Sequence, residues 1–308
     1  MTESRWDVLG LGCVAVDDLL LAPEYPAPDS KVRLLARRRS CGGLTATALI
    51  AAARLGARAA FAGILGDDED SRFVRDSFQR DGVDVSCVVR RADARPIHST
   101  IIVDQTQHTR TILYDLAGST GAAADAPSEE VIRAARVLFV DHYGIEGMTR
   151  AARIARQSGI AVVADFERHE WPGFHDLLAL VDHLVLSESF AHRLTGAASA
   201  TEAIDRLWSD QRQVVAVTCG ENGCWYRSRE ADAVRQQAAF AVPVVDTTGC
   251  GDVFHGAYAL GLAEAMSPLV AARFASAAAA AKAERGMGWD GMPDRALVER
   301  MLLQENDA

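Results

Sequence analysis

The run Asp246, Thr247, Thr248, Gly249, Cys250, Gly251, Asp252, Val253, Phe254 carries the clearest chemical signal in the chain. An apolar stretch, Phe240 to Val245, reads as a strand that enters a glycine turn, and a helix is expected to start near Asp252. The first turn of a helix presents backbone N–H groups without helical partners and a partial positive charge. Gly249 and Gly251 let an anion approach that backbone closely, so a phosphate could be held without Lys or Arg. Asp252 places a carboxylate at the same point. Phosphoryl transfer to an alcohol needs such a base beside the migrating group, to accept the hydroxyl proton. The same residues also describe a capped helix with no chemistry, Asp252 serving only as the cap.

The elements around this turn follow from periodicity and breakers. Trp6–Leu11, Cys13–Leu21, Val32–Arg38 and Ala59–Leu65 read as strands, and Leu44–Leu55 as a helix closed by Gly56. Ser99–Val103 and Arg110–Tyr114 read as a hairpin. From Ser128 onward helices and short apolar strands alternate: Val137–Val140, Ile160–Ala164, Leu184–Leu186 and Val214–Thr218 are strands. Repeated strand–helix units imply a three-layer α/β/α fold with a mostly parallel central sheet, whose ligands sit beyond the carboxyl ends of the strands. The early extra strands break the alternation. They predict a small β-sheet lid, from about 13–37 and 97–114, inserted in a single domain spanning 1–308.

The segment 246–254 resembles the second motif of the ribokinase-like (PfkB) family of carbohydrate and nucleoside kinases, D-T-x-G-A-G-D-x-F, with Cys250 in place of the alanine. A first motif is present too: Cys41, Gly42, Gly43, Thr47, Ala51, Arg54, Leu55, Gly56, then Gly63, Gly66, Asp67, and Asp81, Gly82, Val83, Asp84. The resemblance implies ATP as phosphoryl donor, a small sugar as acceptor, Asp252 as base, and Gly249, Cys250 and Gly251 as the anion hole. It implies sugar contacts from Asp17, Gly42, Gly43 and Thr47, and nucleotide contacts from Ser187, Thr218, Gly220, Gly223 and Thr248. Mg²⁺ is expected with the nucleotide. K⁺ is the monovalent ion that some members hold near Asp246 and Thr248. The family's N-x-x-E motif is replaced by Ser187, Glu188, Ser189, Phe190, which leaves Glu188 and Asp246 as the metal-side carboxylates. Thr47 stands where relatives often have Asn, and Glu167, between Asp165 and Arg168, where they have another. Thr47, Ser187-Glu188 and Asp252-Val253-Phe254-His255-Gly256 together resemble the ketose and sulfofructose kinase branch more than ribokinase proper. The lid joins two subunits in many relatives, so a homodimer is expected.

Lys31, Arg33, Arg37, Arg38 and Arg39 cluster beside the proposed sugar pocket. Alternation along a strand would put Lys31, Arg33 and Arg37 on one face, where Lys31 or Arg33 would reach an anionic sugar; a solvated strand face is the plainer alternative. Gly10, Leu11, Gly12 does not continue into a dinucleotide fingerprint, because Ala15 replaces the third glycine and a strand follows. The formal net charge of −10 disfavours nucleic acid and anionic membrane as partners. No apolar run reaches the roughly 18 residues of a membrane span, and no signal peptide is read at the N-terminus. The six cysteines form no C-x-x-C pair and suit a reducing, cytoplasmic compartment. A nucleoside kinase of the same family and a non-catalytic sugar- or nucleotide-binding regulator are the alternative readings.

Overall fold

Each apolar strand of the main sheet pairs with a strand distant in sequence, because the helix after it carries the chain back across a face of the sheet. The computed structural model describes residues 4–107, 109–286 and 288–306. It begins with β1 (Trp6–Leu11), β2 (Ala15–Ala22), β3 (Ala36–Gly42), α1 (Leu44–Arg54), β4 (Ala59–Phe61), β5 (Ile64–Leu65) and α2 (Glu69–Arg80). Next come β6 (Val89–Arg90), β7 (Ile97–Asp104), β8 (Thr109–Asp115), α3 (Glu129–Arg133), β9 (Ala135–Val140), α4 (Ile145–Gln157), β10 (Ala161–Asp165) and α5 (Phe174–Leu180). Then follow β11 (His183–Ser187), α6 (Glu188–Thr195), α7 (Ala200–Leu207), β12 (Val214–Thr218), β13 (Cys224–Ser228) and β14 (Ala231–Gln237). Three helices close the chain: α8 (Cys250–Ala263), α9 (Pro268–Arg285) and α10 (Arg295–Asn306).

The main sheet runs β14-β13-β12-β11-β10-β9-β1-β4. Pairing is parallel from β12 through β4, and the β12–β13 and β13–β14 pairs at one edge are antiparallel. Alternation sorts the strand side chains into two apolar layers. Val8, Val137, Phe139, Val163, Val185 and Val214 pack with Leu49 of α1, Tyr258 of α8 and Phe274 of α9. Leu9, Leu138, Val162, Leu184 and Val215 pack with Met148 of α4, Leu177 of α5 and Ile204 of α7. The result is a three-layer α/β/α arrangement.

The second sheet has the order β3-β2-β7-β8 and stands apart from the first. Asp17 lies opposite Ser40 on one side and Ser99 on the other. Tyr114 is paired with Ser99, so these four residues share a face. The opposite face is tied to α2: Arg39 bonds Glu69 at 2.9 Å and also Asp70, and His98 lies 2.7 Å from Asp70 and 3.3 Å from Asp18.

Three expectations are corrected. Phe240–Val245 forms no strand; Pro243 has no N–H to donate, and Val245 and Asp246 donate theirs to the Ala283 carbonyl of α9 (2.9 and 3.2 Å). The strand expected at Val32–Arg38 pairs only from Ala36, so Lys31 and Arg33 stand on the preceding loop. Finally, β13 and β14 were not expected at all. Among the described residues no helix is long and apolar enough to cross a membrane.

Candidate active site

Gly249, in the left-handed region at φ 76°, turns the loop into α8, where Asp252 is the third residue. Gly251 and Asp252 occupy first-turn positions whose amides lack helical acceptors. A Cβ on Gly251 would meet nothing within 4 Å, which leaves room in front of those amides for a ligand. Asp246 Oδ1 accepts both the N–H and the hydroxyl of Thr248 (2.9 and 2.7 Å), so the loop is folded by its own side chains. Thr47, buried on α1, has its methyl 3.5 Å from where a Gly249 Cβ would stand, and Asp252 Oδ2 is 3.7 Å from that point. Burial pushes the Cys250 thiol up to about 11, so it is a filler rather than a nucleophile.

Carboxylates gather around Asp252. Burial raises its proton affinity well above the ordinary carboxylate range, and the charges of Asp165, Glu167 and Asp17 add to that. Asp17 is pushed up to about 6, mainly by burial, against a hydrogen bond from Ser99. Gly42 lies against it: a Cβ there would stand 2.1 Å from Asp17 Oδ2. Gly43, at φ 95°, then turns the chain into α1. His255 lies 3.3 Å through Nδ1 from Asp165 Oδ2. The same Nδ1 is 2.7 Å from the Gly251 carbonyl, and Nε2 is 3.0 Å from the Val185 carbonyl. The histidine thus ties the glycine turn to the end of β10 and the middle of β11. Asp141, just beyond β9, accepts from Cys13 N–H, Thr45 hydroxyl and Tyr143 N–H, and burial still pushes it up to about 7.

On the other side, Ser187 and Thr218 are register partners at the ends of β11 and β12. Ser187 caps α6 by accepting from Phe190 N–H at 3.3 Å, and Glu188 opens that helix. Gly220 and Gly223 bound a short turn between β12 and β13; a Cβ on Gly223 would lie 2.1 Å from the Gln237 carbonyl, whereas Gly220 faces open space. All these groups lie at the carboxyl edge of the parallel strands, where such sheets bind ligands. Lys31 is exposed and off the sheet. Arg37 bonds Asp18 at 3.1 Å on the face turned away from Asp17, whereas Arg38, opposite Leu19, shares the face of Asp17. The expected alternation is therefore reversed. Asp141 and Lys282 escaped the sequence reading, although an acid directly after an apolar strand and a lone charge in an alanine helix were both visible.

Residues 12–295 match the profile of the pfkB family carbohydrate kinases. The chain belongs to this family. It is 31% identical over 236 residues to fructokinase-1 of Zea mays, covering 70% of this chain and 72% of that one. A crystal structure from Agrobacterium tumefaciens assigned as a ribokinase superposes with a TM-score of 0.90 at 29% identity, covering 98% of this chain and 99% of the other. The Arabidopsis thaliana ribokinase complexed with ribose and ATP has the same fold, with a TM-score of 0.84, 22% identity and coverage of 97% and 99%. The protein is thus an ATP-dependent carbohydrate kinase. Among the described residues no group of three His, Cys, Asp or Glu side chains converges to hold a metal.

Proposed function

We propose that the chain transfers the γ-phosphoryl group of ATP to a hydroxyl of a small ketose or related sugar, with Asp252 as base. The observation that carries this reading is the meeting of Asp252, the Gly249–Gly251 turn and Asp17 at one strand edge, with Thr47 packed behind the turn. The sugar would lie between Asp17, Gly42, Gly43 and Asp252. Its attacking hydroxyl would give its proton to Asp252, while the Gly251 and Asp252 amides take up charge on the migrating group. Ser187, Thr218, Gly220, Gly223 and Thr248 would line the nucleotide. Mg²⁺ bound with the triphosphate would screen its charge, and Glu188 is the side chain that would help to hold it. The smaller sheet acts as a lid that excludes water as a competing acceptor. An anionic group on the sugar would meet Arg38 rather than Lys31. The six free cysteines suit a reducing, cytoplasmic compartment.

The test is ADP formation with Mg-ATP against a panel of ketoses, aldoses, sugar acids, sulfosugars and nucleosides. Turnover of a sugar that is abolished in D252N is expected. Turnover of nucleosides alone would assign the nucleoside kinase reading instead, and absence of ADP formation with every sugar and nucleoside tested would favour a non-catalytic binding regulator.

A further inference from the structure

The resemblance to the family implies a monovalent cation beside Asp246 and Thr248, and the residues found there do not fit one. Lys282 is 1% exposed, in a helix whose preceding five residues are all alanine. Burying an ammonium is costly unless acceptors and opposite charge meet it. Both do: Nζ donates to the Gly286 carbonyl at 3.2 Å, at the carboxyl end of α9 where the helix dipole is negative. Burial lowers the lysine's proton affinity, and Cys250, Asp246 and Asp252 act against that, so its ammonium stands within electrostatic reach of the catalytic loop. The same corner of α9 is fitted to that loop. Val245 and Asp246 donate to the Ala283 carbonyl at 2.9 and 3.2 Å. A Cβ on Gly286, itself at φ 61°, would come within 2.8 Å of Val245 Cγ1 and 3.3 Å of Asp246 Cβ.

We infer that Lys282 supplies, as a tethered charge, what a bound K⁺ would supply: a positive centre held on the Gly286 carbonyl, at the corner of α9 that is fitted to the 246–251 turn, which keeps that turn in its anion-binding shape. An ammonium group and K⁺ are alike in charge and similar in size, and carbonyl and carboxylate oxygens suit both. One such place holds one of them, because a second cation would be repelled. This rests on the reading of the 246–252 loop as the phosphate-handling turn, and Lys282 acts through that loop as a positioning residue.

The experiment compares choline chloride with KCl at equal ionic strength, reading the thermal midpoint and the affinity for Mg-ADP of the full chain. Wild-type values are expected not to change between the two salts. K282A opens an ammonium-sized space; its Mg-ADP affinity should fall roughly tenfold in choline and recover in KCl, as linkage between two sites requires. K282M fills the space without charge and should lose affinity that KCl does not restore. A wild-type midpoint or Mg-ADP affinity that rises severalfold with K⁺ would overturn the inference, as would a K282A protein indifferent to K⁺. If K282A does not fold, the wild-type comparison decides alone. Neither readout needs sugar turnover, so a wrong acceptor would leave this result standing.

Discussion

As the proposed base, Asp252 meets opposing demands: a base must be ionised, yet burial and the charges of Asp165, Glu167 and Asp17 hold its proton on. D252N should lower kcat by roughly 10²–10⁴, the worth of a positioned base, and leave Mg-ADP binding largely intact by calorimetry. Because Asp17 raises the proton affinity of Asp252, D17N should move the acid limb of kcat/KM to lower pH while raising KM for the sugar. Asp17 also carries a stability signature. Its folded value, about 6, lies above the ordinary 3.8, so its contribution is present at low pH and lost as pH rises through 6. The midpoint of D17N minus that of wild type should therefore grow between pH 5 and 7 in thermal scans. Asp252 and the three residues before it were legible, because a contiguous motif needs no tertiary knowledge. Asp165 and Glu167 were visible but without their partner, since only the pairing of β10 with β11 brings them to α8.

At the scale of elements, α8 is seated on α1 through a glycine. A Cβ on Gly256 would stand 2.1 Å from the Ala48 carbonyl. G256A should therefore destabilise by about 1–3 kcal/mol, the usual cost of overpacking, measured by denaturant unfolding. It should also lower kcat, because Asp252 and Thr47 ride on the two helices that are forced apart. The lid touches the core where Arg168 bonds the Tyr114 hydroxyl and stacks over its ring at 5.6 Å. Y114F keeps the ring and removes the hydroxyl, so a few-fold rise in sugar KM with kcat unchanged is expected if this contact helps closure. The buried parallel strands were readable because a strand covered on both faces is simply apolar. The β13–β14 hairpin was not, because its segments, Cys224–Ser228 and Ala231–Gln237, mix polar and apolar residues at a sheet edge. Phe240–Val245 had a strand's composition, but it pairs with no strand among the described residues, and Val245 bonds the end of α9 instead.

For the whole molecule, the lid leaves large apolar side chains in water: Leu35 is 62% exposed, and Ile112 and Tyr114 are about half exposed. Large apolar side chains exposed at both edges of a small sheet suit a second copy of the chain. Light scattering should give the mass of a dimer, and L35D combined with I112D should give that of a monomer; a monomeric wild type would remove the assignment. The alternation of strands and helices was enough to expect the layered architecture. It could not give the sheet order, because β1 lies between β4 and β9, and that order is set by handed crossovers rather than by composition.

The roof over β1 and α1 is built by α8 and α9, which leave the ribosome after every described strand. A nascent chain halted before Gly249 would have its first-made strands in place but their alanine- and valine-rich face bare to solvent. Translation must then run through α9 before this protein can hide its sticky side, which makes a pause ahead of those helices a hazard for solubility and a natural point for chaperone capture.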